Sequence, residues 1–289
     1  MIEQAQTGAK EVERPESGKF SGIRGRVWFR ALTGQDSSMP GDPHSVLTAD
    51  VSVGKKQARF LCVVPDSSGR FPCARHGEVG LEEAYTLAAR IREVIEADGD
   101  REKRPIVAIV DVKSQAYGRR EETAGIHLAA AAASDAYITA RLAGHPIVAL
   151  VSGHAISGGF LTHGYQANRL LAFDDDGVLI HAMHKEAAAR VTRRTVAQLD
   201  ELAEAVAPLS YRLRDYAKLG LLHKLLRVSN PDNPTAEDIA LVRVEVIAAI
   251  QDALVSPRDL RNRIESENAR TTRKASWLVR AQLAEQWNQ

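Results

Sequence analysis

The chain has 289 residues and a formal net charge of +1, and no basic run has aromatic residues set into it, so composition argues against nucleic acid or an anionic membrane surface as partner. With 44% apolar and 26% charged residues it has material for one sizeable core, and no apolar stretch reaches the ~18 residues that suggest a bilayer-spanning helix. Two cysteines, Cys62 and Cys73, are too few for a disulfide framework, and the charged start (Glu3, Lys10, Glu11, Glu13) does not read as a secretory signal, which points to a reduced, cytoplasmic setting.

Residues 1–20 are polar, carry Pro15 and Gly18, and read as a mobile arm. Short β-like runs are expected at Arg26–Leu32, Ala49–Val53 and Ala58–Val64, with a turn-rich loop at Gly34–Pro43. The period then changes: Leu81, Ala84, Leu87, Ala88, Ile91, Val94 and Ile95 recur at helical spacing, and Gly99 follows the helix end. Pro105 introduces Ile106–Val112, an unbroken apolar run of the kind buried on both faces of a parallel sheet. An alanine-rich helix over about Gly125–Leu142 follows, then a second apolar run at Ile147–Val151, a glycine turn and a short helix around Phe160–Gln166. Further strands are expected at Arg169–Phe173 and Val178–Met183. Beyond Lys185 helix dominates, broken at Ser229–Pro234. Thr235 with Asp238 makes a capping-box pattern, and Ser256, Pro257 and Asp259 mark another helix start. Repeated strand–loop–helix units with near-continuous apolar strands indicate an α/β fold with largely parallel strands.

The segment VSGHAISGGFLTHG, Val151–Gly164, carries the chemistry. If a buried strand ends near Val151 and a helix starts near Gly159–Phe160, the first backbone N–H groups of that helix have no internal partner. Paired glycines let a ligand approach those donors closely, which suits a thioester oxygen that becomes negative. A tight turn that packs helix against sheet would need the same glycines. Ala155–Gly159 also reads as a variant of the G-x-S-x-G nucleophile elbow, with Asp174–Asp176 and His181 or His184 to complete a triad, but five residues separate Val151 from Ser157. His154, His163, His181 and His184 lack a metal-binding signature, and no metal is expected. Neither a phosphate loop nor G-x-G-x-x-G is present.

Two stretches, DVKSQAYGRREETAGI (Asp111–Ile126) and HPIVALVSGHAISGGF (His145–Phe160), resemble the carboxyltransferase branch of the crotonase superfamily. Asp111, Gly118, Glu122, Gly125 and Ile126 match that branch's strand-end pattern in register, and Gly158–Gly159 match its second glycine turn. Lys113, Ser114 and Gln115 depart from it, where a biotin-dependent enzyme has proline, glycine and phenylalanine. Within the branch, the segments SQAYGRREE, SGHAISGGFLTHGYQANRL, IHAMHKEAAARVT and RGRVWFRALTG look most like malonate decarboxylase gamma subunits.

That resemblance implies a ClpP/crotonase-type spiral of ββα units over residues 21–228, with a C-terminal helical extension over 229–289. It implies a carbon–carbon lyase acting with a homologous beta subunit on a malonyl thioester carried by an acyl carrier protein, releasing carbon dioxide. The chain itself is expected to bind no cofactor; the thioester arm is a phosphopantetheine-type group on the carrier, with CoA or biotin the weaker fit. The backbone amides of Gly158 and Gly159 are the first candidate oxyanion donors, and those of Ser114 and Gln115 the second. Tyr117 and His154 are candidate proton donors by position. Arg190, Arg193 and Arg194 are candidates to face the carrier or its phosphate, or form a solvated face. A biotin-dependent carboxyltransferase subunit and a non-catalytic docking subunit are the alternatives.

Overall fold

The computed structural model describes residues 22–287; the arm expected over 1–20 lies outside the described residues. In chain order the elements are α1 (Ile23–Thr33), β1 (Val46–Val53), β2 (Lys56–Val63), β3 (Glu78–Val79), α2 (Leu81–Asp98), β4 (Ile106–Val112), β5 (Ser114–Gln115), α3 (Arg119–Thr123), α4 (Ile126–Ala143), β6 (Ile147–Ile156) and α5 (Ser157–Thr162). They continue with β7 (Arg169–Phe173), β8 (Leu179–His181), α6 (Lys185–Thr192), α7 (Val196–Ala205), α8 (Leu213–Lys218), β9 (Lys224–Leu226), α9 (Ala236–Val255), α10 (Asn262–Glu265), α11 (Glu267–Thr272) and α12 (Lys274–Trp287).

The main sheet runs β1-β2-β4-β6-β7-β9, and β8 pairs with β6. Only β1 and β2 are antiparallel to each other; every other pairing in it is parallel. Strands β4 and β6 are buried along their whole length, as the apolar runs Ile106–Val112 and Ile147–Val151 predict for β4 and the first half of β6. A second, two-stranded parallel sheet joins β3 to β5, with Glu78 opposite Ser114 and Val79 opposite Gln115. Helices α2 and α4 pack against each other, and the small residues Ala84, Ala88, Ala129, Ala133, Ala136 and Ala140 are all buried.

Arg26–Leu32 is not a strand. It lies in α1, because Gly25, Trp28, Phe29 and Leu32 are its buried residues and fall at i, i+3, i+4 and i+7 of one helical face. Gly22 and Gly34 bound it at φ 64° and 72°, where a side chain would be strained. The bulky Val27-Trp28-Phe29 run mimics β composition, but burial follows the helical period.

β6 is also longer than its apolar run. It continues through Ser152, Gly153 and His154 to Ile156, changing neighbour from β7 (at Val148–Val151) to β8 (at His154–Ile156). Its polar residues stay inside because they are bonded: Ser152 Oγ donates to Val110 O (3.3 Å) and the His154 amide to Asp111 Oδ1 (3.0 Å). Correspondingly, the following helix starts at Ser157 rather than near Phe160.

The C-terminal helices begin inside the same core. Val242, Val246, Ala249 and Ile250 of α9 join the cluster that holds Trp28, Phe29 and the strands. The Thr235 capping box forms as its sequence predicts: Asp238 N donates to Thr235 Oγ1 (3.2 Å) and Thr235 N to Asp238 Oδ2 (3.1 Å).

Candidate active site

The end of β6 delivers Ser157 at φ 60°, a left-handed conformation uncommon for a residue with a side chain. Such backbone costs of order 1–2 kcal/mol and persists where its surroundings impose it. The imposing surroundings are the loop after β4, which the small sheet holds in place. Lys113 N donates to Gly77 O (3.1 Å) and Ala116 N to Val79 O (2.9 Å), on either side of the β3–β5 pairing. The loop and the turn are then stitched together at three points. Gly158 N donates to Gln115 Oε1 at 2.8 Å. The Tyr117 and Ser157 hydroxyls share a hydrogen bond of 2.8 Å. Gly159 lies so close to the Ser114 carbonyl that a Cβ there would overlap it.

Ser114, Gln115, Tyr117, Gly158 and Gly159 are therefore brought together. The Gly158 amide, however, already has an acceptor: the carboxamide oxygen of Gln115 sits where a substrate carbonyl oxygen would have to sit. The glycine pair also has the packing role that a tight turn demands, most plainly at Gly159.

His154 stands three residues earlier, within β6 and buried. Burial first, then the neighbouring His184, Arg24 and Lys113, hold its pKa down at about 4, so it is neutral at pH 7. Its amide and that of Gly25 both donate to Asp111 (3.0 and 3.1 Å), and Gly153 leaves no room for a Cβ beside that carboxylate. Burial pushes the Asp111 carboxyl upward, against the hydrogen bonds from His154 and Gly25. The strand-end aspartate is thus a joint between α1, β4 and β6.

A cavity of about 790 Å³ opens beside the turn. Ser157, Gly158 and Phe160 line one side, and Leu260, Arg263 and Arg273 of the C-terminal segment another. This wall is what sequence reasoning missed. Arg263 is 6% exposed, lies over the Tyr165 ring (5.0 Å from its centroid) and donates to Ala167 O. Burial holds its pKa down to about 10. The available signal was a single charged residue at an inward position of a short helix, which a charge-rich tail obscures.

The remaining histidines have local duties. His163 is fully buried, with Nε2 2.9 Å from Ile109 O and Nδ1 2.9 Å from the Tyr137 hydroxyl. A carbonyl only accepts, so Nε2 carries the proton and Nδ1 accepts from Tyr137. His181 stacks on Tyr211 at 3.8 Å. Among the described residues, no three His, Cys, Asp or Glu side chains are grouped so as to hold a metal. Arg190, Arg193 and Arg194 are exposed around the end of α6; they line no part of the cavity and form no ion pair among the described residues. Ser157 does stand at a strand end, unlike the five-residue separation its sequence suggests, which restores the elbow position. Its hydroxyl partner is nonetheless a tyrosine and not an imidazole, so the turn lacks Ser-His-Asp geometry.

The sequence matches the malonate decarboxylase gamma subunit family over residues 74–287. The malonyl-S-ACP:biotin-protein carboxyltransferase MADD of Malonomonas rubra is 36% identical over 193 residues, 65% of this chain and 66% of that protein, so the chain spans just under two thirds of that relative's length. A chain of a Pseudomonas malonate decarboxylase hetero-tetramer in complex with coenzyme A is 51% identical, with a TM-score of 0.88 over 92% of this chain and 100% of that one. The Pseudomonas MdcD-MdcE hetero-dimer contains a chain that is also 51% identical, with a TM-score of 0.83 over 91% of this chain and 99% of that one. Transcarboxylase 12S, 19% identical over 74% of this chain and 37% of that chain with a TM-score of 0.56, shares the fold. The mixed α/β architecture is accordingly of the crotonase/carboxyltransferase type.

Proposed function

From the premise that this chain belongs to the malonate decarboxylase gamma subunit family, we propose that it contributes one side of a shared active site in which a malonyl thioester loses carbon dioxide. The observation that carries this reading is the Gln115 carboxamide oxygen on the Gly158 amide, at the edge of a cavity. It marks a backbone donor aimed at a carbonyl-type oxygen, with the side chain that now fills the position able to swing away.

Loss of carbon dioxide from a malonyl thioester leaves an electron pair on C2 that delocalises onto the thioester oxygen. A fixed N–H at that oxygen strengthens its hydrogen bond as the charge grows, and one such donor is worth ~2.7–4 kcal/mol of transition-state stabilisation. α5 has only six residues, so individual N–H groups at Gly158 and Gly159 act here and a long helix dipole does not. Phe160, Leu161, Ile180 and Leu260 give the cavity an apolar portion that would disfavour the charge of the departing carboxylate. Ser114 and Gln115 supply the second set of amides. Tyr117, hydrogen-bonded to Ser157, and His154 are candidate proton donors by their places in the chain.

The other side of the site comes from a homologous beta subunit, a reading supported by the Pseudomonas hetero-dimer. The substrate arrives on the phosphopantetheine arm of an acyl carrier protein, for which the exposed Arg190, Arg193 and Arg194 offer a basic face. We place the reaction in the cytoplasm; no helix among the described residues is long and apolar enough to cross a membrane. The purified complex of this chain with its beta-type partner should release carbon dioxide from malonyl-carrier protein, and no release under reducing conditions sinks the reading. Transfer of the carboxyl to biotin is a second reading, favoured by the likeness to the Malonomonas enzyme. Turnover that needs a biotinyl protein and is blocked by avidin would select it.

A further inference from the structure

We propose that Ser157 hands the proton to C2 once carbon dioxide has left, and that Tyr117 relays that proton from solvent to Ser157. This rests on the decarboxylase reading above.

The two hydroxyls form a wire with one wet and one dry end. Tyr117 is 52% exposed, whereas Ser157 is 9% exposed and lines the cavity. Their oxygens are 2.8 Å apart, a normal hydroxyl hydrogen bond. The left-handed backbone at Ser157 is what puts the hydroxyl at this spot. A serine kept at φ 60° between a strand and two glycines, where glycine itself would be free of strain, marks a side chain that the turn retains at a cost. The next residue, Gly158, carries the amide proposed to hold the thioester oxygen. C2 lies two bonds from that oxygen, so a substrate seated on the Gly158 amide brings C2 to the neighbouring hydroxyl.

Several proton-bearing groups near the turn are held by partners of their own; His181, which also lines the cavity, is bonded through Nδ1 to Met183 and stacked on Tyr211. Both ring nitrogens of His163 are bonded, to Ile109 O and Tyr137. His154 sits within β6, three residues before Ser157, and does not line the cavity. Tyr137 is fully buried against His163 and has no route to solvent.

The step balances as follows. The bond between C2 and the carboxylate carbon breaks, carbon dioxide departs, and the electron pair moves to C2 and the thioester oxygen. C2 then forms a bond to the Ser157 proton, Ser157 Oγ takes the Tyr117 proton, and the Tyr117 oxygen takes one from water. One proton is consumed for each carbon dioxide released, and neither hydroxyl is changed at the end.

The reverse of the last step gives a test that does not depend on carbon dioxide. Acetyl-carrier protein incubated in D2O with the complete complex should exchange its methyl protons for deuterium, read by NMR or mass spectrometry. Ser157→Ala should slow that exchange by about 100-fold or more, the range of a lost general acid. Tyr117→Phe should slow it at least about 10-fold while leaving the KM for malonyl-carrier protein unchanged. Because the Tyr117 ring is half exposed, its variant carries the test if Ser157→Ala fails to assemble. Exchange at the unsubstituted rate in either assembled variant overturns the relay. Absence of carbon dioxide release by the unsubstituted complex overturns the functional reading instead.

Discussion

Two places, one within β6 and one at the turn into α5, look alike in sequence and behave differently in the fold. At the first, Gly153 faces Asp111; at the second, Gly158 and Gly159 face Ser114 and Gln115. Each pairs a glycine that has no room for a Cβ with a polar group from the end of β4 or the loop after it. The Asp111 joint is closed: its carboxylate is occupied by the amides of Gly25 and His154 and is 3% exposed. The turn is open: Ser157 and Gly158 border a cavity, and the acceptor on Gly158 is the end of a side chain, Gln115. A glycine against a carboxylate therefore says little about chemistry until the far side of the contact is known. Closure against an opening separates a structural joint from a site.

Breaking the joint should cost stability and spare chemistry. Asp111→Ala leaves two buried amides without an acceptor, at about 1–3 kcal/mol each, so chemical denaturation should register a loss of about 4 kcal/mol. Turnover per folded molecule should hold; a large fall in kcat at unchanged folded fraction would erase the distinction. At the turn, Gly159→Ala should cost about 3 kcal/mol, because its methyl meets the backbone of a strand and not a movable side chain. Gly158→Ala meets only the end of Gln115, 2.8 Å from the new Cβ, and should cost about 1 kcal/mol while lowering turnover more than Gly159→Ala lowers it per folded molecule.

pH sharpens the same contrast. Burial holds His163, beneath the turn, down to about 4. The unfolded chain takes up that proton near pH 6.5, so folding stability is lost as pH falls from about 6.5 through about 4, by no more than about 3 kcal/mol for this residue. His154 adds a slope of the same sign, as do His145, His181 and His223, and His163→Gln should remove only its own share of the total. The smallest effect is expected far from both places. Burial disfavours the charge of Asp238, yet hydrogen bonds from Ser229 and Thr235 outweigh it and hold the carboxyl at about 2. Asp238→Asn should cost about 1 kcal/mol at neutral pH, and the difference should fade as pH drops from about 4 to about 2.

Much of this architecture is legible in the chain because the strands that build it are buried on both faces. Ile106–Val112, Arg169–Phe173 and the first half of β6 announce themselves as apolar runs, and α2 by its period. The second half of β6 does not, since Ser152-Gly153-His154 breaks the run and only partners from distant segments make those groups acceptable inside. Both loops of the candidate site are visible as glycine-bearing strand ends, and they do converge. What no local pattern conveys is that the Gln115 side chain occupies the Gly158 amide, or that residues beyond 256 wall the cavity. Those facts are long-range pairings of individually ordinary residues.

The way α1 is anchored bears on how the chain is made. Its Arg24 pairs with Asp175 and Asp232, and the Trp28 indole donates to Pro231 O at 2.8 Å. Arg243 of α9 closes the set by donating to Leu32 O at 3.2 Å. The first described helix packs on β1, β2, β4 and β6, yet several of its polar fastenings come from groups that a ribosome synthesises some 200 residues later. Such sequence-distant closure is slow, since loop entropy is lost before the contacts form. Until α9 emerges, Trp28 and Phe29 lack part of the cover they have in the folded chain.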